Sequence, residues 1–150
     1  MRNLRRTLRV LLAASLAVAW LGAPASARAE DYAVIVNAEN PTEPLDRLAV
    51  KKAFLMKSSR WKSGVKVRPI DRIARDAARI AFLEDVLRME PQDLKRYWIQ
   101  VRYQRALSPP TQAETEAEVL RFVAEEAGAI GFVRHSTAKS AKGTKVVLRY

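Results

Sequence analysis

Arg72, Arg75 and Arg79 surround Asp76, and guanidinium groups gathered at a helix start are chemistry for holding a small anion. Each fork offers charge-assisted hydrogen bonds, and the first helical turn adds unpaired N–H groups and the positive end of the helix dipole. Asp76 reads two ways. As a helix N-cap its carboxylate bonds the same N–H groups an anion would use and contributes about 1 kcal/mol. The turn is then self-satisfied and locally negative, with its arginines solvated or paired with Glu84 and Asp85. Ala77, the next residue, has no hydroxyl to donate. Asn37 and Asn40 follow an apolar run, the place where open α/β sheets put their ligands, although turn chemistry explains them equally simply. His135 has no carboxylate or hydroxyl at motif spacing and reads as an exposed residue. Trp61, Tyr97, Trp98 and Tyr103 read as core and rim packing, and Glu114, Glu116, Glu118, Glu125 and Glu126 as the solvated side of one helix.

The chain has no cysteine and a single histidine, which excludes thiol nucleophiles, disulfides, thiolate metal sites and histidine-rich metal sites. It also has no nucleophile elbow, Walker loop or paired catalytic acids. Noncovalent binding without a metal or cofactor is therefore the expected activity, and catalysis is not.

The elements that must position these residues alternate between strand and helix patterns. Asp31 to Asn37 is a β-branched apolar run that reads as a buried strand, closed by a turn stretch with two prolines. Asp46 can cap a helix running to about Met56. Val65 to Ile70 alternates like a second strand. Ile73, Ala77, Ile80, Leu83 and Leu87 then mark one face of a helix ending near Arg88. Pro91 suits the first position of the next helix, and Ser108-Pro109-Pro110 breaks the chain after it. A long helix is expected from about Ala113 to Ala127, ended by Gly128. Ala129 to Val133 and Lys145 to Tyr150 read as strands, with a polar loop from Ser136 to Gly143 between them. This alternation implies an α/β layer with a largely parallel sheet.

The first 29 residues fall outside that pattern. Arg2, Arg5, Arg6 and Arg9 precede an apolar run from Val10 to Leu21, and Ala25-Ser26-Ala27 and Ala27-Arg28-Ala29 offer cleavage sites, the layout of a secretory signal peptide. The run is shorter than the roughly 20 residues that span a bilayer, so no membrane anchor is expected after cleavage. One domain, residues 30–150, remains. Five of the chain's 27 basic residues lie in the leader, so 22 face the 16 acids and the excess falls from +11 to +6. That balance suits anions or anionic surfaces, including an outer cell surface, but is no nucleic-acid fingerprint.

Several segments together resemble the phosphate-type periplasmic substrate-binding proteins of ABC transporters. VIVNAENP resembles a family segment in which an apolar strand ends in Asn; KKAFLMK followed by Trp61 resembles the family's Ile-Phe-Leu-Gly and Trp pattern. VRPIDR with Phe82 in the next helix resembles the strand-to-helix anion loop, and EEAGAIGFV the Pro-Gly-Ala-Ile-Gly-Tyr-Val signature. The resemblance covers one of the family's two lobes. It implies an α/β, type II periplasmic-binding-protein-like fold and noncovalent binding of phosphate or a similar anion in the periplasm, with an ABC permease or another periplasmic protein as partner. In that family an Arg is followed four residues later by Ser-Gly-Thr, all touching phosphate. Arg72 keeps the Arg, but Asp76, Ala77 and Ala78 stand where the donors would be. The implied ligand set is Arg72, the Asp76 turn with Ala77, Arg79, Asn37 and Asn40. The alternative is a lobe that has lost phosphate binding and become a protein-interaction module.

Overall fold

The computed structural model describes residues 31–150. The expected signal peptide, residues 1–29, lies outside the described residues. Among the described residues five strands and five helices follow one another: β1 (Tyr32–Asn37), α1 (Arg47–Phe54), β2 (Arg68–Arg72), α2 (Ala77–Phe82), α3 (Pro91–Arg105), β3 (Thr111–Ala113), α4 (Glu116–Glu125), β4 (Ala129–Arg134), α5 (His135–Ser140) and β5 (Thr144–Arg149). A π-helical turn, Leu83–Leu87, extends α2.

The strands form one sheet in the order β3-β2-β4-β1-β5. β2 runs parallel to both β3 and β4, whereas β1 is antiparallel to β4 and to β5. Four strands therefore point the same way, as the α/β expectation requires, and only β1 is reversed. Every residue of β1 is buried because strands flank it on both edges and helices cover both faces. Its alternating side chains feed two cores. Tyr32, Val34 and Val36 join Phe54, Phe82, Trp98 and Phe132 on the side of α1, α2 and α3. Ala33 and Ile35 join Ile70, Val119, Val123 and Val133 on the side of α4. The stacked rings of Phe82 and Phe132, 4.3 Å apart, tie α2 directly to the sheet.

Local signals explain most boundaries. The Asp46 carboxylate accepts from the N–H of Ala49 and starts α1, and Pro91 opens α3. Thr115 and Glu118 form a reciprocal capping box at the start of α4.

Four expectations need correction. The second strand is Arg68–Arg72 instead of Val65 to Ile70, because its register follows pairing with β4 at Ala129 and Ile130. The helix expected from Ile73 begins at Ala77, since Asp76 caps it there. The helix expected from Ala113 begins at Glu116, and Thr111–Ala113 is instead an edge strand beside β2. The expected loop at 136–143 contains α5, whose Ala138 is buried against the α4-side core.

Candidate functional site

The carboxyl ends of the four like-directed strands share one edge of the sheet, and Arg72 is the last residue of β2. Its side chain turns back to the start of α2. There Asp76 Oδ1 accepts from the N–H groups of Ala78 (3.0 Å) and Arg79 (3.3 Å), while Asp76 Oδ2 accepts from Arg72 Nη2. Arg79 Nε donates to both carboxylate oxygens of Asp71, at 3.2 and 3.0 Å, and Asp71 Oδ1 also accepts from the N–H of Arg72 at 2.7 Å. The four residues form a closed ring, two cations and two anions with no formal net charge. The arginines' partners are thus Asp76 and Asp71, where the sequence had offered Glu84 and Asp85.

The ring is largely shut off from water. Arg72 is 5% exposed, and its Nε and Nη1 have no partner among the described residues. Ala77 and Arg75 are exposed beside it. A carboxylate therefore stands where a bound anion would stand: on the same N–H groups, on the same arginine, and with the same sign of charge.

The two carboxylates titrate in opposite directions. Burial pushes Asp71 above its ordinary 3.8, outweighing the charge and hydrogen bonds of Arg79 and the Arg72 N–H. Burial also tends to raise Asp76, but the hydrogen bond and charge of Arg72, with the N–H groups of Arg79 and Ala78, outweigh it and hold that carboxyl below 3.8. The signs set the pH dependence. Asp76 contributes stability above its unfolded value that is lost as pH falls through the lower folded value. Asp71 binds its proton more tightly when folded, so stability falls as pH rises from 3.8 through the raised value. Replacing Asp71 by Asn should remove that decline, giving a flatter dependence of unfolding free energy above about pH 4 in urea titrations. An unchanged slope would contradict the buried placement of Asp71.

The other two candidates lie elsewhere. Because β1 is reversed, its carboxyl end sits at the opposite edge of the sheet from Arg72, beside the start of β4. Asn37 Nδ2 donates to the carbonyls of Val123 (3.0 Å) and Ala124 (2.9 Å), and its Oδ1 accepts from the Glu39 N–H. Asn40 Nδ2 reaches the carbonyl of Ala127 at 3.4 Å, and its Oδ1 accepts from the N–H and hydroxyl of Thr42. Both asparagines satisfy the end of α4 and shape their own turns. The structure thus brings Arg72, Asp76, Ala77 and Arg79 together and leaves Asn37 and Asn40 apart from them.

Sequence reasoning missed Asp71. The available signal was an acid next to the arginine that ends the strand, with a second arginine eight residues after the acid. Glu116 is also more than a solvated acid: it accepts from the Arg134 N–H (2.6 Å) and the Thr137 hydroxyl (2.8 Å), joining α4 to the start of α5. Trp61 donates from Nε1 to the carbonyl of Gly128 at 3.0 Å, so two of the segments that suggested the resemblance touch each other. Among the described residues no group of three or more His, Asp or Glu is placed to hold a metal ion.

No family model and no curated protein matches the chain. Solved structures do. An ABC-type phosphate transport receptor from Vibrio cholerae superposes with a TM-score of 0.62 at 17% identity, over 79% of this chain and 45% of the receptor. PstS from Borrelia burgdorferi superposes with a TM-score of 0.60 at 13% identity, over 79% of this chain and 47% of PstS. The chain spans about half the length of these structures. With its mixed sheet and flanking helices, it has the fold of the phosphate-type periplasmic substrate-binding proteins, over about half of their length.

Proposed function

We propose that the chain is a noncovalent binding domain of the substrate-binding-protein type, acting in the periplasm, whose anion turn is closed by its own carboxylate. It works by contacting another protein and not by capturing phosphate. The observation that carries this reading is Asp76, bonded at once to two helix-start N–H groups and to the buried Arg72. An incoming anion would re-pair Arg72 but would take over bonds that Asp76 already makes, so exchanging one for the other leaves this turn little of the about 4 kcal/mol that even a millimolar complex needs. The periplasmic location is supported by the leader-like layout of residues 1–29 and by the likeness to phosphate transport receptors. Among the described residues no helix is long and apolar enough to cross a membrane.

One observation favours a second reading. Arg72 keeps two buried donors, Nε and Nη1, without partners, and a phosphate-like anion would satisfy them if Asp76 swung away; an ABC permease would then be the natural partner. Calorimetric titration of the exported domain with phosphate and with sulfate at low salt decides between the two. The closed turn predicts no saturable heat at millimolar anion. Saturable heat that Arg72→Ala abolishes would establish the second reading and remove the first.

A further inference from the structure

On the flank of the molecule that carries Asp71 and Arg79, an open groove of about 740 Å³ runs between α3 and the segment leading into β3. Trp98 forms part of its floor, and Pro109 and Pro110 form the opposite wall. Ile99 and Tyr103 line it from α3 while 62% and 93% exposed, an outward placement of large apolar side chains that packing among the described residues does not explain. Both cations that flank them, Lys95 and Arg102, are exposed and have no ion-pair partner among the described residues. The one acid in the lining, Asp71, is already held by Arg79. The groove therefore presents uncompensated positive charge around an apolar and aromatic strip.

We propose that this groove docks an acidic, apolar-anchored peptide segment of a partner protein. The proposal rests on the protein-contact reading above and names the chemistry of that contact. Charge selects the partner: two free cations beside an apolar strip match acidic side chains flanking an apolar anchor. Lys95 and Arg102 are two helical turns apart on one face, roughly 10 Å at 1.5 Å per residue. Acidic side chains four residues apart in an extended segment share one face and lie about 13 Å apart at about 3.3 Å per residue, within reach of these two long side chains, and the residue midway between them points the same way. The apolar residue between them would lie on Ile99 and Tyr103, with Trp98 below and the prolines opposite. Tryptophan, tyrosine and arginine are the side-chain types that most often dominate binding energy at such contacts.

The test is fluorescence anisotropy with the domain and a short labelled peptide carrying Glu at positions i and i+4 around a leucine at i+2, against its Glu→Lys counterpart. The acidic peptide should bind with an affinity that falls as salt rises, and the lysine counterpart should not bind. Lys95→Glu with Arg102→Glu should weaken binding by roughly a hundredfold, and Tyr103→Ser by roughly tenfold or more. All three side chains are exposed, so circular dichroism should show the fold unchanged. Absence of acidic-peptide binding at low salt, equal binding of the two peptides, or indifference to these substitutions would overturn the proposal. So would concentration-dependent dimerisation in sedimentation that the same substitutions abolish, because the occupant would then be a second copy. A domain that ignores both phosphate and the peptide overturns only the groove, whereas saturable phosphate binding overturns the reading beneath it.

Discussion

Replacing Asp76 by Ser should destabilise the domain by about 3–5 kcal/mol and at the same time make its stability depend on phosphate. The loss arises at Arg72, which stays buried after its one side-chain partner among the described residues has gone. Serine still accepts hydrogen bonds and can cap α2, so the charge is removed while most of the cap is kept. Domains of this size are stable by about 5–15 kcal/mol, so the variant should remain largely folded at low temperature. Phosphate can then enter the emptied position, meeting Arg72 and the N–H groups of Ala78 and Arg79 with no opposing carboxylate. At about a hundred times its dissociation constant the anion restores about 2.7 kcal/mol. Thermal unfolding with and without phosphate reads the effect: the variant midpoint should rise with phosphate while the wild-type midpoint stays put. Asp76→Asn separates the contributions, since it keeps the cap geometry without the charge. A serine variant as stable as wild type would show that the pair contributes little. One that is destabilised yet blind to phosphate would show that the turn no longer recognises anions at all.

The second large effect is expected at Gly128. A Cβ built there would lie 1.9 Å from the carbonyl oxygen of Lys66, and backbone cannot swing aside as a side chain can. The Gly128 carbonyl also accepts from the Arg68 N–H at 2.9 Å and from Trp61 Nε1 at 3.0 Å, so displacing it disturbs the start of β2 and the Trp61 loop together. Overpacking of this kind costs about 1–3 kcal/mol, and each disturbed hydrogen bond about 1 kcal/mol more. Gly128→Ala should therefore lose about 3–4 kcal/mol, a fall of roughly 10–15 °C in the melting midpoint. Gly131→Ala should cost less. Its Cβ would meet side-chain methyls of Val119 (2.7 Å) and Ile70 (2.9 Å), which can shift by rotation or small movements of α4. A Gly128→Ala midpoint close to wild type, or the reverse order of the two variants, would contradict this packing.

These two glycines show what the sequence disclosed and why. The EEAGAIGFV segment resembles a family signature, and its glycines prove to be places where another backbone or a packed helix leaves no room for a side chain. Elements with strong local chemistry were equally legible: the β-branched run of β1, the Asp46 and Asp76 caps, Pro91 at the first position of α3. The elements that stayed hidden draw their stability from distant partners. β3 is three residues with two exposed, and it exists because β2 lies beside it. α5 has the composition of a loop, HSTAKS, and is held by Glu116 and by burial of Ala138.

At the candidate site the same division holds. Asp76 as a cap was readable from residue type and position, including its competition with an anion. The pairing of Arg79 with Asp71 was not, because it depends on where β2 ends relative to the first turn of α2. The separation of Asn37 and Asn40 from that turn was invisible for a broader reason. A strand's residues show that it is buried but not which way it runs, and the reversed direction of β1 carries both asparagines to the far edge of the sheet.

The most direct measurement of the closed turn is a crystal structure of residues 31–150 grown from concentrated phosphate. The account predicts the Asp76 carboxylate on Arg72 and on the N–H groups of Ala78 and Arg79, with no anion density at the first turn of α2. Tetrahedral density against Arg72, with Asp76 rotated out to solvent, would contradict it.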